Sequence, residues 1–210
     1  MPWKSVSCFF LFAIVSVLVM SGATMPWDTA ILRAVGGFRH PGLTEAMRAL
    51  SEVGNWQWEI PLALGIAVVF RLRSRAGDAW RFLGLGLSAE ALYAVAKAVF
   101  HRPRPEVIPH LGQAGWYSYP SGHAMLGLIL WGFGLTLVAE LFTPRTAKVA
   151  LWTLAAALSC GIAGSRIYLG VHYPSDVVGA FCLGGGWLLL WRDTAFWPRS
   201  SATSSAPATR

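Results

Sequence analysis

Six apolar blocks dominate this chain and leave it few ways to fold. They cover residues 6–23, 58–70, 79–99, 123–141, 147–163 and 177–191. Several approach the ~20 residues that a helix needs to cross a bilayer. In hydrocarbon a backbone must satisfy its own N–H and C=O groups, which a helix does within one segment. Of 210 residues, 55% are hydrophobic and 13% are charged, about half the charged share of a soluble domain. The expected fold is therefore all-α, an integral membrane bundle of six transmembrane helices. The block at 58–70 is short, but Trp56, Trp58 and Arg71 frame it. Of eleven tryptophans, Trp27, Trp56, Trp58, Trp80, Trp116, Trp191 and Trp197 fall near block ends, where an interfacial belt sits.

Between the first two blocks, residues 27–50 interleave Ile31, Leu32, Val35, Leu43, Met47 and Leu50 with Arg33, Arg39, Glu45 and Arg48. This pattern predicts an amphipathic segment at the membrane surface, divided by Pro41. The first block has a rival reading as a signal peptide, with Lys4 before it and Ser21-Gly22-Ala23 after it. Residues 1–197 are expected to form one domain, and the Ser/Ala/Thr-rich stretch 198–210 a disordered cytoplasmic tail. Cys8, Cys160 and Cys182 lie inside apolar stretches with no metal-ligand spacing, and read as small buried hydrophobes.

The net charge of +7 does not point to nucleic acid, because no basic face or aromatic platform accompanies it. Arginines gather instead at block ends. Arg71, Arg73, Arg75, Arg81, Arg145, Lys148, Arg192, Arg199, Arg210 and Lys4 occupy one set of ends, which the positive-inside rule assigns to the cytoplasm. Arg33, Arg39 and Arg48 run against that rule. With this orientation three polar clusters meet on the outer face.

The first cluster is Lys97 and Arg104-Pro105, the second Pro120-Ser121-Gly122-His123, the third Ser165-Arg166, His172 and Asp176. They supply two histidines, one carboxylate and three cations. Phosphoryl transfer without a metal needs that set: cations for the oxygens, one imidazole to attack phosphorus, another to handle the leaving-group proton. His172 and Asp176, four apart, share a face if a helix has begun there. A carboxylate on one ring nitrogen leaves the other free to attack. Ser121 and Gly122 open a helix whose free N–H groups suit an anion. Each piece has a plainer reading, as a helix cap or a cation reaching for headgroups. Those readings do not account for all the pieces converging.

In order and spacing, Lys97-x6-Arg104-Pro105, then Pro120-Ser121-Gly122-His123, then Ser165-Arg166-x5-His172-x3-Asp176 resembles the three-part signature of the type 2 phosphatidic acid phosphatase (PAP2) superfamily. The match spans residues 97–176. The resemblance implies that His172 is the nucleophile, that Asp176 orients it, and that His123 is the general acid. It implies phosphate binding by Lys97, Arg104, Ser121, Gly122 and Arg166. No metal and no cofactor are expected. His101, His110 and Arg102 are weaker candidates in the intervening loop. Glu90, two turns before Lys97, is a candidate partner for it. Trp116, Tyr117 and Tyr119 are candidates for framing a lipid entrance.

The implied function is a membrane lipid phosphatase in the bacterial inner membrane, its site facing the periplasm or cell exterior. Undecaprenyl diphosphate stands first among expected substrates, by analogy with carrier recycling. Phosphatidylglycerophosphate, phosphatidic acid and a lipid A phosphate follow. A phosphotransferase using the same site, and a non-catalytic lipid-binding protein, are the alternatives. Lipid phosphate and membrane lipids are the expected partners.

Overall fold

The computed structural model describes residues 3–142 and 144–193. Among them every regular element is helical. Eight helices follow in order: α1 Trp3–Met20, α2 Met25–Gly37, α3 Pro41–Val53, α4 Trp56–Leu72, α5 Ala76–Phe100, α6 Gly122–Ala139, α7 Arg145–Tyr168 and α8 Pro174–Asp193. Within α6, Gly127–Phe133 winds as a π-helix. The fold is all-α, as expected. Four helices (α1, α5, α6 and α7) are long and apolar enough to span a bilayer. The outward faces of α1, α5 and α7 carry large hydrophobics, among them Phe10, Val17, Leu87, Val95, Val99 and Trp152. Lipid tails, not water, suit such faces. Helix α4 has 17 residues. Helix α8 dilutes its apolar run with Gly179, Gly184, Gly185 and Gly186.

Every one of these helices begins before its apolar block. Helix α8 begins at Pro174, three residues before its block, because proline suits the first helical turn and Asp176 favours a helix N-terminus. Hydropathy misses such polar first turns. The amphipathic segment is two helices, α2 and α3, divided at Pro41 as its sequence suggests. Leu43 and Met47 of α3 pack on Tyr168, Leu169 and Val171. Trp27, Trp56, Trp58, Trp80 and Trp116 are exposed near helix ends or in the α5–α6 connection; Trp197 and the expected tail lie outside the described residues. Cys8 and Cys182 are half-buried, but Cys160 is exposed, so the expectation of three buried thiols is corrected: Cys160 faces outward from α7.

The main core is built by α4, α5, α6 and α8 around Phe70, Phe82, Leu85, Met125 and Ile129. Helix α1 lies along α8, α4 along α5, and α3 and α6 against α7. Tyr119 is fully buried and pins the bundle: its hydroxyl bonds Ser16 Oγ at 2.9 Å, and its ring meets Phe12 and Phe100. That corrects its expected place at a lipid entrance. The polar clusters come together because the C-termini of α5 and α7 and the N-termini of α6 and α8 share one end of the bundle. The backbone ties them: Ser121 N–H donates to Asp176 O at 3.2 Å, and Val171 N–H to Arg166 O at 3.1 Å.

Candidate functional site

His172 lies two residues before α8, not on it. The His–Asp pair forms nonetheless, because Tyr173 N–H donates to Asp176 Oδ2 at 2.8 Å and folds the loop back on the first turn. His172 Nδ1 is 3.2 Å from the same oxygen. A carboxylate only accepts, so Nδ1 carries the hydrogen and Nε2 keeps its lone pair. Arg104 Nη1 donates to that lone pair at 3.1 Å. His172 is 2% exposed. Burial drives its imidazole from the ordinary 6.5 down to about 3; the Asp176 hydrogen bond opposes this, and the Arg104 and Arg166 charges reinforce it. At neutral pH the ring is an uncharged nucleophile.

The sign of the accompanying pH effect follows. Above about 6.5 the folded and unfolded chains both carry His172 neutral. Below it the unfolded chain takes up a proton that the folded one resists until about 3. Stability therefore falls with acid across that window, at up to about 1.4 kcal/mol per pH unit for this group. Unfolding in detergent should show that slope, and His172→Gln should flatten it; an equal slope in both proteins contradicts the buried neutral ring.

Asp176 is itself held on every side. Ser118 Oγ donates to Oδ2, and Arg102 Nη1 to Oδ1 at 2.6 Å. Arg102 continues to Asp28 Oδ2 at 2.8 Å and to Ser175 Oγ at 2.8 Å. Ser175 closes the circuit on Asp28 through its N–H and its hydroxyl. Tyr173 stacks under the guanidinium at 4.0 Å. This buried Asp–Arg–Asp chain joins α2 to the start of α8. Arg102 thus holds the carboxylate that holds His172, a larger part than its place in the loop suggested. Asp28 and Ser118 were not legible as site residues. Asp28 reads as an ordinary first-turn acid in an interfacial helix, and Ser118 has no motif around it.

The cations are aimed by carbonyls. Arg104 donates to Val171 O at 2.6 Å, Gly115 O at 2.7 Å and Trp116 O at 3.2 Å. Burial lowers its pKa while Asp176 opposes the shift. Arg166, in the last turn of α7, donates to Ser51 Oγ and to Gln113 O at 2.9 Å. Its Nε is buried without a partner. Lys97 is buried and donates from Nζ to Tyr93 Oη at 3.0 Å. Tyr93, not the expected Glu90, is its hydrogen-bond partner.

Ser121 precedes α6 as an N-cap residue, yet its hydroxyl makes no cap bond and is buried unpartnered. A Cβ on Gly122 would meet the Tyr93 ring at 2.7 Å, so only glycine lets α5 and α6 close here. His123 Nε2 is 2.9 Å from Asn55 Oδ1. Asn55 Nδ2 donates to Glu52 Oε2 at 2.7 Å, which fixes the amide so that its oxygen accepts from His123. Asn55 is a further partner that no sequence motif announces. His101 bonds the Val99 carbonyl at the end of α5, and His110 the Pro105 carbonyl in its own loop. Trp116 is exposed beside Tyr117.

Below His123 a cavity of about 510 Å³ opens between α4, α5 and α6. Its walls are largely apolar. His123, Gly122, Asn55 and Tyr93 line it together with Glu59 and Glu90. Among the described residues no three His, Cys, Asp or Glu side chains are grouped to hold a metal. The positive charge here comes from Lys97, Arg104 and Arg166.

Comparison with known proteins places this geometry. The sequence model of the PAP2 superfamily matches residues 78–199. Phosphatidylglycerophosphatase B of Bacillus subtilis strain 168 is 29% identical over 183 residues, covering 87% of this chain and 90% of that protein. Decaprenylphosphoryl-5-phosphoribose phosphatase of Mycolicibacterium smegmatis is 33% identical over 155 residues, covering 71% and 76%. The crystal structure of a transmembrane PAP2-type phosphatidylglycerolphosphate phosphatase from Bacillus subtilis superposes with a TM-score of 0.83 at 28% identity, over 90% of this chain and 94% of that one.

Proposed function

This chain belongs to the PAP2 superfamily, and we propose that it is a membrane lipid phosphatase that works through a phosphohistidine on His172. One observation carries the reading: the nucleophile-ready Nε2 of His172 shares its end of the bundle with two buried, unpartnered donors, Ser121 Oγ and Arg166 Nε. Buried polar groups without partners are costly. A phosphate whose oxygens accept from both, and from Arg104 and Lys97, removes that cost.

The chemistry runs in two displacements. Nε2 of His172 attacks phosphorus, and Arg104 moves from the ring nitrogen to a phosphate oxygen. The bond from phosphorus to the ester oxygen breaks, its electron pair stays on that oxygen, and His123 supplies the proton that makes it an alcohol. Asp176 stabilises the positive ring of the phosphohistidine through Nδ1–H. Water then attacks phosphorus while His123 takes its proton. The P–N bond breaks, its electron pair returns to Nε2, and phosphate leaves. Gly122 lets the helix start approach the phosphate, and Ser121 and Arg166 hold its oxygens.

The lipid lies with its headgroup at the cationic end and its chain along the apolar cavity. Residues 1–197 act as one domain with six spans, α4 and α8 completing the four most apolar ones. The site faces away from the cytoplasm. Arg71, Arg73, Arg75, Arg81, Arg145, Lys148 and Arg192 lie at the other helix ends, as the positive-inside rule asks. Two of the three arginines that oppose the rule have structural work: Arg39 donates to Tyr168 O and Pro109 O, and Arg48 to Leu111 O. A bacterial inner membrane suits this layout. The names of the two broad relatives favour a terminal phosphate monoester on a lipid over undecaprenyl diphosphate.

Purified protein in detergent should release phosphate from phosphatidylglycerophosphate or phosphatidic acid, and should do so in excess EDTA. No release from any of the four lipids, or phosphate appearing only on a second lipid, overturns hydrolysis as the activity.

A further inference from the structure

Glu59 is a carboxyl group in the wrong place for a structural residue. It sits in the first turn of α4, is 4% exposed, and lines the apolar cavity. Its Oε1 is buried with no hydrogen-bond partner. Leaving such an acceptor unpaired is costly. Glu90 of α5 lines the same cavity. The hydrogen bond of the nearby cation goes elsewhere, from Lys97 to Tyr93.

The position of the cavity says what would pair with Glu59. In an in-line displacement the leaving oxygen lies across phosphorus from the attacking nitrogen. With His172 attacking and His123 protonating, the departing alcohol stands on the His123 side. His123, Gly122 and Asn55 are the polar end of the cavity that holds Glu59. Whatever hangs from the ester oxygen therefore enters beside this carboxyl. A hydroxyl can donate to Oε1. A hydrocarbon leaves it unpaired, and a further phosphate offers mainly acceptors.

We propose that Glu59, with Glu90 in the same cavity, forms a specificity-determining subsite for a free hydroxyl on the departing alcohol. The favoured substrates are then lipid phosphate monoesters of a polyol, such as a glycerol or sugar headgroup. The subsite rests on the phosphatase reading above and deepens it.

The test compares phosphate release by the full-length protein from phosphatidylglycerophosphate and from its analogue lacking the free glycerol hydroxyl. Wild-type kcat/KM should favour the hydroxylated lipid by at least roughly tenfold, the loss expected when a buried acceptor goes unpaired. Glu59→Leu should bring the two substrates within about threefold of each other, while Glu59→Gln, which keeps an acceptor oxygen, should preserve most of the preference. The ratio is taken within one preparation, so partial misfolding of a variant does not alter it, and the wild-type comparison needs no variant at all. A wild-type ratio near one, or a Glu59→Leu ratio equal to wild type, overturns the subsite while leaving an active phosphatase. If the wild type releases phosphate from neither lipid but does so from another of the four, the subsite falls alone; if it releases phosphate from none of them, the phosphatase reading falls and takes the subsite with it.

Discussion

His172→Ala lowers phosphate release by about four orders of magnitude or more, the scale on which removal of a covalent nucleophile acts. The size follows from geometry. Nε2 is the one ring nitrogen left without a hydrogen, since Nδ1 is committed to Asp176, and alanine provides no nucleophile in its place. The cations and Ser121 remain, so the variant still binds phosphate and still polarises it. A residual rate above the uncatalysed reaction is expected for that reason. Rapid quenching with a labelled lipid separates the roles. Wild type should show an acid-labile phosphoenzyme, and the alanine variant none. Retention of that label by His172→Ala would move the nucleophile elsewhere and end the assignment.

The second large effect concerns stability. Arg102→Leu strips the shared counter-charge from Asp28 and Asp176, both 2% exposed or less. Breaking a buried ion pair from one side costs about 3–5 kcal/mol, because the abandoned charge stays in a poor solvent. In a chain of this length that is a fall of roughly 10 °C in Tm. Catalysis should suffer too, since Asp176 loses its Oδ1 partner and the imidazole loses its fixed tautomer. Arg102→Leu combined with Asp28→Asn should recover part of the stability, having one buried charge fewer. Thermal unfolding in detergent reads both proteins. An unchanged Tm for the single variant contradicts a charged Asp–Arg–Asp chain.

The contrast between these two residues shows what a sequence can declare. His172 stands in a spaced motif, and every residue of the three clusters has a chemical reason for its neighbours. Arg102 and Asp28 have none that is visible along the chain: 74 positions separate Arg102 from each of its carboxylates. Their pairing exists only once α2 lies against the start of α8. Ser51 and Asn55 are of the same kind, ordinary polar residues until the fold sets them on Arg166 and His123. The helical class and most helix positions were legible because apolar blocks need no partner to reveal them. Helix starts were less so, since Ser175 and Asp176 are polar and α8 begins among them. The expected Lys97–Glu90 pairing gave way to a tyrosine one turn from the lysine, an acceptor that charge counting does not consider.

Helix α1 lies along α8, so a helix made early must wait for one made much later before it finds its main neighbour. Asp176 belongs to that late helix, and Asp28 contacts Arg102 and Ser175 only after it arrives. Contacts of such long sequence separation form slowly and leave surfaces uncovered meanwhile. A nascent chain halted before residue 174 would hold the cations and the His172 imidazole but not the carboxylate that orients it, and catalytic competence would begin only when the ring of helices closes on itself.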